Sequence, residues 1–188
     1  MKSSISKEDY LKIYEMTEDA FTLDFDCGSL CNNICCTVEK ESKDGELLEM
    51  VLYLLPGEEE LFFENEWFDM YYETTDDYVY PDSWDGKVYF VKCSNPPHCN
   101  RKTRPIQCRS FPVSPHLDKE NKLHLIYDED DFSYDCPIVS QKMRLSDDFI
   151  EKILKMWSIL IEDDLIFDLI KMESEERENN EKEYEMVI

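Results

Sequence analysis

The sequence predicts a small single α+β domain with short antiparallel strands, irregular cysteine- and proline-rich loops and a long C-terminal helical segment. Three observations predict it. Short apolar or aromatic stretches in the middle of the chain are each bounded by a turn signal. A helical period takes over after Ser146 and persists to Ile170. Between them, residues 94–115 hold Pro96, Pro97, Pro105, Pro112 and Pro115, which rules out long regular structure there. A length of 188 residues suits one domain able to bury a core, and a hydrophobic content of 42% keeps the chain out of the disordered class.

Taken in order, Ser6 and Asp9 form a capping box, and Tyr10, Leu11, Ile13 and Tyr14 then share one face of a short helix that ends near residues 18–20. A cysteine run follows over residues 27–36. Residues 46–55 read as a strand stopped by Pro56-Gly57, and Glu58, Glu59 and Glu60 suit the first turn of a helix that Leu61, Phe62 and Phe63 anchor. The aromatic stretch 67–80 suits a strand, Asp85-Gly86 a turn and 87–92 the returning strand. A short helix fits residues 102–108 inside the proline-rich stretch, and 122–127 form another strand. Ser146 caps a helix whose apolar face is Ile150, Ile153, Leu154, Trp157, Leu160 and Ile161. It continues through Leu165, Ile166, Leu169 and Ile170 after a bend at Glu162-Asp163-Asp164. The domain is expected over residues 1–172, and residues 173–188 as a mobile acidic tail.

The formal charge of −24 opposes nucleic acid and anionic membrane as partners, since phosphates are repelled. No apolar run has the length of a membrane span, and no apolar stretch follows the first lysine as a secretory signal requires. The expected compartment is the cytoplasm, where thiols stay reduced.

Eight cysteines are the chemistry-bearing residues: Cys27, Cys31, Cys35, Cys36, Cys93, Cys99, Cys108 and Cys136. Gathered thiolates are soft ligands for zinc, iron or an iron–sulfur cluster. Disulfides and inert buried thiols are the competing readings. A reducing compartment, a domain long enough to need no staples and the poor geometry of pairing Cys35 with Cys36 weigh against disulfides. If residues 27–35 were one helix, Cys27, Cys31 and Cys35 would line up, drifting about 40° per step, and Cys36 would point about 100° away. Two outcomes stay open: the helix breaks and all four thiols converge, or Cys36 serves another centre. Gly28 and Asn32-Asn33 supply the residues for a break.

Charge is distributed in the same sense. Residues 86–117 contain no Asp or Glu but carry Lys87, Lys92, Arg101, Lys102, Arg104 and Arg109 beside Cys93, Cys99 and Cys108. Cations near thiols lower their pKa and favour the metal-binding thiolate. A basic patch for an acidic partner, such as the chain's own tail, is the alternative. Among the histidines, His98 precedes Cys99 and is either a ligand or an exposed loop residue, His116 follows Pro115 near the island, and His124 alternates with apolar neighbours as a surface residue.

Three segments together resemble the YkgJ-type cysteine-cluster family of zinc- or iron-chelating proteins, described by a CxxCxxCC pattern. They are the run from Cys27 to the adjacent pair Cys35-Cys36, Arg104-Pro105-Ile106-Gln107-Cys108-Arg109-Ser110-Phe111-Pro112 as an RPxxCRxFP signature, and Asp135-Cys136-Pro137. Leu54-Leu55-Pro56-Gly57-Glu58 is similar to a segment of its members. The gaps in the first run are three and three residues rather than two and two, which puts the ligand geometry in doubt. The resemblance implies metal chelation without deciding between zinc and iron, and some relatives are linked to flagellin lysine methylases that use an iron–sulfur cluster. Independently of it, Arg104 and Arg109 flank Cys108 and can donate hydrogen bonds to thiolates or to nearby carbonyls, or else pair with surface carboxylates.

Three function classes follow: a protein that binds zinc or an iron centre through its cysteines, as one cubane cluster or two four-cysteine zinc sites; a cluster-dependent enzyme; or an acidic protein-interaction module. No Ser/His/Asp or Cys/His order and no phosphate-binding glycine loop stands out.

Overall fold

Ser6 starts the first helix, α1 (Lys7–Thr17), by the expected reciprocal cap: its side chain accepts from Asp9 N while the Asp9 carboxylate reaches back to Ser6 N. Tyr10, Ile13, Tyr14 and Thr17 form its buried face. The computed structural model describes residues 2–37, 39–41, 47–76, 79–98, 100–128, 134–180 and 184–188. After two single-turn helices, α2 (Gly28–Cys31) and α3 (Ile34–Thr37), come β1 (Glu39–Glu41) and β2 (Leu47–Glu49), paired antiparallel. The strand expected over 46–55 is divided at Met50: β3 (Val51–Tyr53) joins a different sheet, and residue 46 lies outside the described residues.

That second sheet has the order β3, β5 (Lys87–Cys93), β4 (Phe68–Thr74), all antiparallel, with Thr74 opposite Lys87 and Phe68 opposite Cys93. Of the aromatic stretch 67–80, residues 77 and 78 are outside the described residues. The helix expected after Pro56-Gly57 is a 3₁₀ turn, Glu58–Leu61. Gly57 enters it at φ 91°, where a side chain would also meet Ile5 O at 3.2 Å. Phe62 anchors this turn at 2% exposure, whereas Phe63 points outward at 58%.

The proline-rich stretch carries a 3₁₀ turn (Arg101–Thr103), α4 (Ile106–Ser110) and, unexpectedly, the strand β6 (Val113–Leu117), which contains Pro115. The register explains why proline fits. Pro115 lies opposite Leu125 of β7 (Leu123–Tyr127), and Leu125 turns both backbone groups the other way, to Ile188 O (3.1 Å) and Val187 N (2.8 Å). The pair is therefore a non-hydrogen-bonded one, and the missing N–H costs no ladder bond.

After α5 (Pro137–Ser140), α6 (Asp147–Leu160) is capped by Ser146, and α7 (Asp164–Asn179) by Asp163 at the expected bend. The buried face of α6 is Phe149, Ile153, Met156, Trp157 and Leu160, while Ile150, Leu154 and Ile161 are half-buried against it. With Tyr10, Ile13, Leu125, Ile166 and Ile170 these residues form the core, each fully buried large side chain contributing about 1.5–3 kcal/mol. Residues expected as the acidic tail are, up to 179, the last turns of α7. Ser174 is buried there and accepts from Leu117 N (2.9 Å), and Glu173 accepts from Tyr53 Oη (3.0 Å). Residues 184–188 run along β7, with Met186 bridged to Ile126. The fold is α+β, as expected.

Candidate metal centre

Asp26 organises the thiol-bearing segment. Its Oδ1 accepts from Gly28 N (3.2 Å) and its carbonyl from Ser29 Oγ (2.8 Å). α2 lasts one turn, because Asn32 adopts the left-handed conformation (φ 56°, ψ 40°) and Asn33 follows it (φ 56°). Asparagine is among the few side chains that tolerate this region. α3 is then a separate turn, bringing Cys35 and Cys36 to one place with their Sγ atoms 4.0 Å apart. The helix breaks, as the first of the two expected outcomes requires, and Cys36 comes beside Cys35, but among the described residues the four thiols do not converge on one point. Gly28 permits it sterically: a Cβ there would lie 1.8 Å from Asn33 Oδ1.

Two later elements complete the wall. Cys108 sits within α4, and Cys136 precedes Pro137 at the start of α5. Cys27, Cys31, Cys35, Cys36, Cys108 and Cys136 all line one cavity of about 290 Å³, together with Arg104, Arg109 and Tyr134. Cys93, at the end of β5, is not on this wall, and Cys99 lies outside the described residues. The seven described cysteines carry thiols rather than disulfides. The six thiols ring the cavity without closing on one point: among the described residues no three His, Cys, Asp or Glu side chains form a group that could hold a single metal ion as it stands.

The adjacent pair is electrostatically uneven. A hydrogen bond from Cys35 holds the Cys36 thiol down to about 7 against the opposing effect of burial, and Arg104 adds to the lowering. Cys35 is correspondingly pushed far up by that bond and by burial. Burial raises Cys27, opposed by Thr22 and Arg104. Burial also raises Tyr134, followed by the neighbouring thiols Cys35, Cys136 and Cys36. Carboxylates are not absent from the wall: Asp26, Glu18 and Asp128 reach it. Two of them face the basic island, Asp26 at 3.7 Å from Arg101 and Glu18 at 3.3 Å from Lys102.

Arg109 is 5% exposed and spends its guanidinium on the protein itself. Nε donates to Arg104 O (2.7 Å), Nη1 to Tyr14 O and Thr17 Oγ1 (both 3.1 Å), and Nη2 to Arg101 O (3.1 Å) and Lys102 O (2.8 Å). It also stacks over the Tyr14 ring at 3.9 Å. Tyr14 Oη donates to Glu58 Oε1 (2.5 Å), which also accepts from Ile106 N (2.8 Å), while Oε2 accepts from Leu55 N (3.0 Å). Glu58 is 1% exposed; burial pushes its pKa up, and these donors with Arg109 oppose the rise. Of the expected roles for Arg109, donation to carbonyls is the one adopted; three of these carbonyls belong to the turn that presents Arg104 and the fourth, Tyr14 O, to α1.

No histidine lines the cavity. His98 is exposed. His116 is buried beside Tyr184, ring centroids 4.5 Å apart, and neither ring nitrogen has a hydrogen-bond partner among the described residues. His124 Nε2 lies 2.9 Å from Asp118 Oδ2. Sequence reasoning missed Tyr134, whose only signal was standing two residues before Cys136, and the buried role of Glu58, which it read with Glu59 and Glu60 as a helix-opening acid although Glu58 alone of the three closes the Leu54-to-Glu58 segment.

No family model matches the chain, and no curated protein or solved structure matches it. Among the described residues, no helix is long and apolar enough to cross a membrane.

Proposed function

We propose that this chain holds a zinc or iron centre through thiolates on the cavity wall, with an iron–sulfur cluster as the favoured form. The observation that carries the reading is the convergence of Cys27, Cys31, Cys35, Cys36, Cys108 and Cys136, from three separate parts of the sequence, on one cavity. Thiols otherwise scatter through a fold as small apolar residues. Two arguments favour a cluster over a single zinc ion. About 290 Å³ exceeds the space within a zinc–sulfur tetrahedron, where sulfurs stand about 2.3 Å from the metal, and the thiols are spread round the wall. Four of the six could anchor a cluster, and Arg104 would offset part of its negative charge. Such a cluster would supply one-electron chemistry. The likeness to the YkgJ-type family belongs to the same proposal: it supports a metal centre without deciding between zinc and iron.

Protein purified without oxygen should contain bound iron, with acid-labile sulfide and a brown colour; colourless protein with stoichiometric zinc would replace the cluster by a zinc site. Replacing Cys35 and Cys36 together by Ser should remove the metal and lower the melting temperature of the loaded form to that of chelator-treated protein. Unchanged metal content and melting would overturn the proposal.

A further inference from the structure

We infer that the groove between α1 and residues 60–67 docks a cationic segment of another protein that carries a large apolar side chain. The groove is open to solvent, has a volume of about 720 Å³ and does not involve the thiols. Its apolar surface is unusual for an outer face. Leu11 lies on the side of α1 away from the buried Tyr10, Ile13 and Tyr14 and is 51% exposed, and Phe63 is 58% exposed. Phe62, one residue earlier, is buried, so Phe63 is turned outward by the same turn that packs its neighbour; its ring meets the edge of Tyr89, at 5.9 Å. Half-buried Trp67 continues the apolar floor. Exposed aromatic and aliphatic side chains sharing a concave surface are the common anchor pocket of a partner side chain.

Charge chooses the partner. Glu60, Glu64 and Glu66 line the groove with one cation, Lys7, and among the described residues none of the three is in an ion pair. Lysines or arginines flanking the inserted side chain would meet all three. A second copy of this chain is a poor occupant, since each carries −24. The groove also abuts the thiol cavity through one short turn: Asn100 and Thr103 line the groove, Arg101 and Arg104 the cavity. A docked segment would therefore lie against the back of the turn that presents these arginines. The inference stands on the groove's own residues and does not need the metal reading.

The test uses the full chain and three synthetic peptides of equal length: leucine and phenylalanine among lysines, serine among lysines, and leucine and phenylalanine among glutamates. The first should bind, with the other two weaker by about tenfold or more, and its affinity should fall with salt. Phe63→Ser and, separately, Leu11→Ser should each weaken it about tenfold with circular dichroism and metal content unchanged, since both side chains are exposed. Failure of all three peptides to bind, equal binding of the two lysine peptides, or indifference to both substitutions would overturn the inference. So would concentration-dependent self-association that either substitution abolishes, which would make a second copy the occupant.

Discussion

One wall of the thiol cavity runs from Arg104 through α4, the other through α2 and α3, and the two are held in opposite ways. The first is fastened by the buried donors of Arg109 and the buried acceptors of Glu58, which tie it to α1 and to the turn after Pro56. The second consists of two four-residue helices joined through left-handed asparagines. A single helical turn has no stability of its own. This second wall also carries four of the six thiols, and in its adjacent pair the contact favours the Cys36 thiolate while holding Cys35 protonated. The difference teaches that Cys108 is positioned by buried hydrogen bonds of the fold, whereas Cys27 to Cys36 rest on two short turns, and it is this second wall that the proposed metal centre would order.

The largest effect should come from unfastening the first wall. Arg109→Ala removes the guanidinium donors from the carbonyls of Tyr14, Arg101, Lys102 and Arg104 and should cost about 3–5 kcal/mol in denaturant unfolding. Arg109→Lys should recover little, since one ammonium cannot meet acceptors spread round a planar fork. If Arg109→Ala were nearly neutral, the contrast between the walls would fail. A second effect sharpens it: hydrogen exchange should find the amides of α4 protected with or without metal, and those of α2 and α3 protected by about tenfold or more only when metal is bound. Equal protection in both states would show the thiol segment to be preformed.

The smallest effect lies away from both walls and checks that they are special. Asp163 Oδ1 caps α7 while Oδ2 accepts from Ser3 Oγ (2.9 Å), Ser4 N (2.6 Å) and Ser4 Oγ (2.8 Å). Asp163→Ala should cost about 1–2 kcal/mol and leave metal content unchanged. Burial raises the pKa of this carboxyl, but the bonds from Ser4, Ser3 and Ile166 outweigh it and the net shift is downward. Its stabilisation is therefore full above the ordinary aspartate value of about 4 and lost as pH falls through the lower folded value. The gap between the native protein and Asp163→Ala should close in acid; a gap constant with pH would refute the assignment.

Much of this was legible locally. Ser6 with Asp9, Asn32-Asn33 with Gly28, and Ser146 and Asp163 each carry their own conformational signal, and the structure follows them. What was not legible depends on partners distant in sequence. Arg109 reads as a candidate neighbour of thiolates until α1 supplies Tyr14 O and Thr17 Oγ1. Glu58 reads as a dipole-complementing acid until Tyr14 and Ile106 bury it. Phe63 was expected as an anchor because its neighbours are apolar, yet a 3₁₀ turn buries Phe62 and turns Phe63 out. β6 went unseen because whether proline breaks a strand depends on the register opposite it.

That register has a further consequence for how the molecule behaves in a crowd. Because Pro115 turns its ring nitrogen to the outer rim of β6, that rim lacks a donor at its centre, and the outer rim of β7 is already occupied by residues 184–188. The two-stranded sheet therefore offers no complete ladder to a stranger on either side, and growth into intermolecular sheets is blocked at both borders.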